Sequence, residues 1–182
     1  MAKKILLIVG STRQARIGDQ IAEWVAAQAG KNTAIELEVV DLKEWKLPLF
    51  EKPYSPQYAP KLDDDIQPWA DKIASGDGFI FVTAEYNRGI PAALKSAIDH
   101  LYQPWVGKPA AIVSYGYVDG GKSATRHLHD VLDWLKVSVV EPTVAVQLNH
   151  GIVDSGIVLD KDVNLASYSE GIQAAVAALA KA

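Results

Sequence analysis

A segment near the N-terminus combines glycine, hydroxyl and guanidinium groups. It spans residues 10–18, reads GSTRQARIG, and follows an apolar run that ends at Val9. The apolar spacing after Gly18 predicts a helix, and free backbone N–H groups at a helix N-terminus favour anions. Arginine adds a rigid, always-charged fork that fits phosphate. The segment therefore predicts a site for a phosphate group.

The same segment differs from a dinucleotide fingerprint. G-x-G-x-x-G needs a glycine at its third position so that the backbone can approach a pyrophosphate, and Thr12 stands there. Asp41 ends the second predicted strand, where a ribose-binding acid would lie. Without the glycines, Asp41 is better interpreted as a turn or cap residue, and a single phosphate fits better than a pyrophosphate.

A second glycine-rich segment matches another phosphate motif. Residues 116–123 read GYVDGGKS and satisfy G-x-x-x-x-G-K-[ST] between a predicted strand and a predicted helix. The next apolar run, residues 144–148, is followed by Asn149 rather than by an aspartate that could hold magnesium. A nucleoside triphosphatase therefore stays an alternative that lacks a predicted magnesium ligand.

Composition excludes several other classes of site. The chain has 182 residues and no cysteine, so thiolate nucleophiles, C-x-x-C redox pairs and Cys-based metal sites are excluded. His127 and His129 are two apart on a predicted helix and point to different faces, which disfavours a shared metal. A formal charge of −4 provides no attraction for nucleic acid or an anionic membrane. The apolar run 5–9 is too short for a signal peptide or a membrane span, so we expect a cytoplasmic protein.

Short apolar runs alternate with helical patterns along the whole chain. This alternation predicts an α/β fold, with a doubly wound five-stranded parallel sheet covered by helices on both faces and a single domain over residues 1–182. The fifth strand is expected to be broken at Glu141-Pro142 and to lie at the sheet edge. The predicted strands are 5–9, 35–40, 79–83, 110–115 and 137–146, and the predicted helices are 18–29, 66–75, 91–101, 123–136 and a closing helix around 168–179.

The segment between the third strand and its helix carries a family resemblance. Residues 83–101 read TAEYNRGIPAALKSAIDHL and closely resemble the T-P-E-Y-N…P-x-x-L-K-N-A-I-D-x-L segment of the NADPH-dependent FMN reductases. Residues 10–18 and 107–116 are similar to that family's phosphate loop and fourth-strand segment. Ala84 and Ser96 replace the usual proline and asparagine. The resemblance implies a flavodoxin-like fold that binds FMN.

Site residues follow from the resemblance. The FMN phosphate and ribityl chain would be held by Ser11, Arg13, Arg16, Ile17 and Gly18. The isoalloxazine ring would be bordered by Glu85, Tyr86 and Asn87 on one edge and by Ser114, Gly116 and Gly120 on the other. Lys122, or the start of its helix, would add positive potential near the ring. No side chain is implied as a catalytic acid, base or nucleophile, because the flavin carries the chemistry.

The resemblance also implies an activity. FMN would pass two electrons from NAD(P)H to a quinone, azo compound, flavin or metal-oxyanion acceptor, with ping-pong kinetics because donor and acceptor use the same flavin face. The family implies a homodimer or homotetramer, with Arg88, Tyr102 and Trp105 as candidates at the interface. An FMN-binding electron carrier or sensor is the second hypothesis.

Overall fold

The central sheet of the computed structural model, which describes residues 1–58 and 62–182, is parallel throughout. Its strands lie in the order β2-β1-β3-β4-β5, and β6 pairs with the end of β4. The reversal of strand order beside β1 is the point at which doubly wound sheets bind ligands. The strands are β1 (Lys3–Val9), β2 (Ile35–Asp41), β3 (Gly78–Ala84), β4 (Pro109–Gly116), β5 (Ser138–Val139) and β6 (Val144–Gln147).

Helices cover both faces of this sheet, which confirms the predicted fold class. One face packs against α1 and α7, and the other packs against α3, α4 and α5. Successive side chains of β1 alternate between these two cores, so its apolar run is continuous because both of its faces are buried. The helices are α1 (Gly18–Ala29), α2 (Leu42–Trp45), α3 (Gln67–Ala74), α4 (Ala92–Asp99), α5 (Lys122–Trp134), α6 (Lys161–Asn164) and α7 (Ser169–Lys181).

The fifth strand position is divided, as the sequence predicted. Ser138 of β5 pairs with Pro109 at the start of β4, whereas Val144 of β6 pairs with Val113 further along the same strand. Glu141-Pro142 lies between the two pieces and has a cis peptide bond. Both pieces occupy the sheet edge beside β4, where an interrupted ladder is tolerated.

Four short elements were not predicted. They are α2, α6, a 3-10 helix (Ala166–Tyr168) and a hairpin of β7 (Val153–Asp154) and β8 (Ile157–Val158). Each is too short to show the periodicity on which helix and strand predictions depend. None of the helices in the described ranges, 1–58 and 62–182, is long and apolar enough to cross a membrane.

The segment after α2, which carries Phe50, Tyr54 and Tyr58, is bonded to α4 and its C-cap residue by two polar side chains. Ser96 Oγ donates to the carbonyl of Pro48 at 3.0 Å and accepts from the N–H of Phe50 at 2.9 Å. His100 Nε2 lies 2.9 Å from the same Pro48 carbonyl, and its ring makes an edge contact with Phe50. The first part of this segment is therefore packed on the core, while Leu49, Tyr54 and Tyr58 are exposed.

Trp105 is a core residue, so its prediction as an interface residue is wrong. Its side chain is fully buried, with its ring centroid 4.9 Å from that of Phe79. Its indole N–H donates to the carbonyl of Ile98 at 3.2 Å. An indole that is already enclosed by its own chain offers no surface to a neighbour. Tyr102 and Arg88 keep exposed surface, and their role at an interface stays a prediction.

Candidate functional site

A cavity of about 410 Å³ lies at the carboxyl ends of β1, β3 and β4. Three loops that the sequence singled out meet there, namely the segments after Val9, after Ala84 and after Gly116. Seven predicted site residues line it: Ser11, Arg13, Arg16, Ile17, Glu85, Tyr86 and Gly116. The remaining predicted residues do not line the cavity; they are Gly18, Asn87, Ser114 and Gly120.

The start of α1 faces the first loop with free backbone donors. Its N-cap, Ile17, has no side-chain oxygen to offer. No acceptor for the N–H groups of Gly18 and Asp19 is present among the described residues. The exposed guanidinium of Arg13 lies 5.7 Å from the ring centroid of Tyr86. Free N–H groups at the positive end of a helix, beside an arginine, provide a setting for a phosphate.

Arg16 is held differently from Arg13. Its Nη1 donates to Asp41 Oδ1 at 2.6 Å and to the carbonyl of Ser11 at 2.7 Å, and its Nη2 donates to Asp41 Oδ2. The side chain of Arg16 is only 7% exposed. Since both terminal nitrogens are used by the protein, Arg16 ties the first loop to the end of β2.

Asp41 serves two groups at once. Its Oδ1 also accepts from the N–H of Lys43 at 3.0 Å and caps α2, which confirms the interpretation of Asp41 as a cap residue. Burial opposes ionisation of this carboxyl, but the hydrogen bonds from Arg16 and Lys43 outweigh it. The pKa of Asp41 therefore lies below its ordinary value, and the carboxylate is ionised at neutral pH.

Hydroxyl groups form part of the cavity wall near the first loop. Ser11 Oγ and Tyr86 Oη are 2.6 Å apart, and Ser11 is fully buried. Tyr115 reaches the same cluster from the end of β4. Burial is the main cause, and the proximity of Tyr86 the second, that raises the pKa of Tyr115 well above its ordinary range. Tyr115 therefore stays neutral at physiological pH.

Gly18 makes room for Tyr115. A Cβ added at Gly18 would lie 2.3 Å from Tyr115 Oη, well inside van der Waals contact. Its role is thus steric, although the position is one that the family resemblance assigned to the phosphate loop. The first helical residue is glycine because the tyrosine hydroxyl occupies the space of a side chain.

The middle loop is a tight turn. Tyr86 N–H donates to the carbonyl of Gly89 at 2.9 Å, and Gly89 N–H donates back at 3.0 Å. The two central residues, Asn87 and Arg88, have φ of 49° and 67°, which is the pattern of a type I′ turn. This turn places Tyr86 on the cavity and Asn87 outside it.

The start of α5 is fully capped by two carboxylates. Asp119 Oδ1 accepts from the N–H groups of Gly121 and Lys122, each at 3.2 Å. Glu85 Oε2 accepts from those of Ser123 and Ala124 at 3.0 and 3.1 Å. These are the backbone donors that a phosphate would use in a G-x-x-x-x-G-K-[ST] loop. The local sequence fits that motif, but its anion site is filled by carboxylates.

Ser114 and Gly120 stabilise the loop between β4 and α5 by a hydrogen bond and by close packing. Ser114 is fully buried, and its Oγ donates to the carbonyl of Gly120 at 2.8 Å while accepting from Thr125 Oγ1 at 2.9 Å. Gly120 has φ of 73°, and a Cβ there would lie 2.7 Å from the Ala145 carbonyl. Lys122 does not line the cavity.

Sequence reasoning missed part of the cavity lining. The position of Tyr115 at the end of a predicted strand was a usable signal, because ligands bind at such ends. The hairpin residues had no signal, since neither their types nor their spacing indicates chemistry. The missed lining residues are Ala15, Ala84, Tyr115, Tyr117, Leu148, Val153, Ser155 and Gly156. In the part of the chain that the structure describes, no three His, Asp or Glu residues are grouped so as to hold a metal ion.

Comparison with known proteins identifies relatives whose alignments cover most of this chain. The sequence model of the family described as NADPH-dependent FMN reductase matches residues 3–151. A curated NAD(P)H-dependent FMN reductase of Schizosaccharomyces pombe is 41% identical over 157 residues, which are 85% of this chain and 78% of the relative. A 2-hydroxy-1,4-benzoquinone reductase of Burkholderia sp is 32% identical over 171 residues, covering 89% and 88% of the two chains. Among solved structures, the flavoenzyme NAD(P)H:(acceptor) oxidoreductase FerB of Paracoccus denitrificans has a TM-score of 0.75 at 25% identity, over 99% of this chain and 98% of that one.

Proposed function

Since the chain belongs to the NADPH-dependent FMN reductase family, we propose that the cavity holds FMN and that the protein passes two electrons from NAD(P)H to a small-molecule acceptor. The observation that supports a phosphate site in this cavity is the difference between the N-termini of two helices. The start of α5 is capped by Glu85 and Asp119, whereas the N–H groups of Gly18 and Asp19 at the start of α1 have no acceptor among the described residues. Only the latter start is open to a phosphate.

Different residues have different tasks in this proposal. Ser11, Arg13 and the N–H groups at the start of α1 bind the phosphate, with Ile17 beside the ribityl chain. Arg16 keeps the loop in place through Asp41, because its guanidinium is already engaged. The flavin ring lies between the turn at Tyr86 and the backbone at Gly116, which line the same cavity.

FMN, when bound, accepts a hydride from NAD(P)H and then passes two electrons to a second substrate, the acceptor. The protein orients the ring and excludes water from one side. Tyr86 and Tyr115 present hydroxyl groups, and the raised pKa of Tyr115 keeps its hydroxyl protonated. No residue of the cavity acts as a nucleophile in this scheme.

We propose a quinone as the first acceptor to test, because the Burkholderia relative is named for a benzoquinone. Azo compounds, free flavins and metal oxyanions are further candidates. If donor and acceptor use one flavin face in turn, the kinetics are ping-pong, and double-reciprocal plots at several quinone concentrations are parallel. Intersecting lines would contradict the mechanism. An FMN-loaded protein that oxidises neither NADH nor NADPH would instead be an electron carrier or sensor.

We also propose that the protein is a homo-oligomer. A groove of about 390 Å³ runs between α4 and α5, and Trp134 at its edge is 75% exposed. An exposed tryptophan beside a groove is typical of an interface. Trp134→Ser should lower the solution mass from a dimer or tetramer toward a monomer, and a monomeric wild type would contradict the proposal. A cytoplasmic location stays a prediction that cell fractionation tests.

A further inference from the structure

The hairpin of β7 and β8 forms one wall of the cavity. Val153, Ser155 and Gly156 contribute to the lining together with Arg13 and Tyr86 of the loops described above. The family match ends at residue 151, so this wall lies beyond the residues that the family model matches. A wall beyond that match is a place where one member can differ from another in the acceptor it admits.

The hairpin has too few internal contacts to hold this position alone. Its ladder consists of two residue pairs, Val153 with Val158 and Asp154 with Ile157. A two-stranded hairpin is marginal in water even when it is longer. Its turn has positive φ at Ser155 and at Gly156. Its position must therefore come from its contacts with the rest of the protein.

One side chain supplies two of those contacts. Gln20 of α1 donates from Nε2 to the carbonyl of Gly156 at 2.9 Å. The same amide accepts at Oε1 from the N–H of Val158 at 2.9 Å. The donor and the acceptor of Gln20 are thus both used, on either side of Ile157. An ion pair between Lys161 and Glu23, one turn further along α1, fixes the chain just after the hairpin.

We propose that Gln20 is a positioning residue for acceptor choice: by holding the hairpin against α1, it keeps the cavity wall closed to bulky acceptors. This inference rests on the proposed function, because it assumes reduction of an acceptor in the cavity. Gln20 itself does not line the cavity. Its effect on substrates is therefore indirect and passes through the backbone of Gly156 and Val158.

The test compares Gln20→Ala with the wild type, using FMN-loaded protein. The readout is the ratio of kcat/KM for 1,4-benzoquinone to kcat/KM for an anthraquinone sulfonate, which has three fused rings. We expect Gln20→Ala to shift this ratio about tenfold in favour of the larger quinone, corresponding to about 1.4 kcal/mol. Amide hydrogen exchange at Val158 should accelerate, because its acceptor is removed. Gln67→Ala is the matched control: Gln67 bonds Asp71 within α3, which packs on the opposite face of the sheet from α1 and the hairpin.

A second variant separates positioning from a general loss of stability. Gln20→Glu can still accept from Val158, but its ionised carboxylate faces the carbonyl of Gly156. Protonation restores a donor, so the acceptor ratio of Gln20→Glu should return toward the wild-type ratio as pH falls through the carboxyl pKa. A merely destabilising substitution would show no such return.

The outcomes also distinguish this inference from the proposed function. An FMN-loaded wild type that reduces neither quinone refutes the proposed function and the inference with it. An active wild type with an unchanged ratio in Gln20→Ala refutes the inference alone. A lower FMN affinity in Gln20→Ala without a change of ratio would assign the hairpin to cofactor retention, and would also overturn it.

Discussion

The guanidinium of Arg16 forms a bidentate ion pair with the carboxylate of Asp41, with Nη1 2.6 Å from Oδ1 and Nη2 bonded to Oδ2. The two residues belong to different βα units, and Nη1 also reaches the carbonyl of Ser11. The pair therefore joins the end of β2 to the loop that we assign to the FMN phosphate. A loop held this way is arranged for its ligand before the ligand arrives, which reduces the entropic cost of binding.

Asp41→Asn should destabilise the protein and weaken FMN binding together. It leaves the largely buried guanidinium of Arg16 without its counter-charge, and we expect a loss of about 2 kcal/mol in the free energy of unfolding. We expect FMN affinity to fall about tenfold, because the loop loses its anchor on β2. Denaturant titration and fluorescence quenching of FMN measure the two effects.

The effect of Asp41 should depend on pH. Its pKa is lowered in the folded protein from an ordinary value of 3.8. The carboxylate therefore contributes its full stabilisation above pH 3.8, and this contribution is lost as pH falls through the folded pKa. The difference in unfolding free energy between the wild type and Asp41→Asn should be constant from pH 5 to 7 and should shrink at pH 3. A difference that persists unchanged at pH 3 would contradict the lowered pKa.

Arg13→Gln and Arg16→Gln should differ in kind. Arg13 is exposed, and we expect its replacement to raise the FMN dissociation constant about tenfold or more while leaving the melting temperature of the apoprotein unchanged. Arg16 is bonded to Asp41 and Ser11, so its replacement should lower both FMN affinity and the melting temperature. Equal melting temperatures for the two variants would show that Arg16 has no anchoring role.

The sequence predicted features whose residues are adjacent in the chain. The first loop was found because its glycines, hydroxyls and arginines follow one another within residues 10–18. The pairing of Arg16 with Asp41 was not predicted: Asp41 was interpreted as a turn or cap residue, and it is 25 positions away from Arg16 with no local pattern that links the two. The motif at residues 116–123 matches a phosphate loop, but the backbone donors at the start of α5 are taken. Asp119, within the motif, accepts from two of them, and Glu85, which lies 38 positions before Ser123, accepts from the other two. Local pattern identifies a loop, and tertiary contacts decide whether its donors are free.

Glu85→Ala should destabilise the start of α5. It removes the acceptor of two helix N–H groups and a negative charge at the positive end of the helix, and we expect a loss of about 1–2 kcal/mol in unfolding free energy. Glu85→Gln keeps an acceptor oxygen and should lose less. Denaturant titration of both variants gives the comparison, and equal losses would show that a neutral acceptor oxygen at this position contributes nothing beyond the charge.

Gly120→Ala should be far more damaging than Gly107→Ala. Both glycines have φ near 75°, so the backbone strain of an alanine is similar at each position. A Cβ at Gly120 would meet the Ala145 carbonyl at 2.7 Å, whereas at Gly107 nothing lies within 4 Å. We expect about 1 kcal/mol of destabilisation for Gly107→Ala and at least about 3 kcal/mol for Gly120→Ala, measured by denaturant titration.

Gly18→Ala should be rescued by a second substitution. The added methyl group would lie 2.3 Å from Tyr115 Oη, and the next contact is with Tyr115 Cζ at 3.3 Å. Gly18→Ala alone should therefore displace the tyrosine and lower both stability and FMN affinity. Tyr115→Phe removes the clashing atom, so the double variant should recover most of the lost stability, with a coupling energy of about 1–2 kcal/mol. The unfolding free energies of the wild type, the two single variants and the double variant form a double-mutant cycle, which gives this coupling energy. Additive losses would mean that Gly18 is required for a reason other than the tyrosine hydroxyl, such as the approach of the phosphate to the first turn of α1.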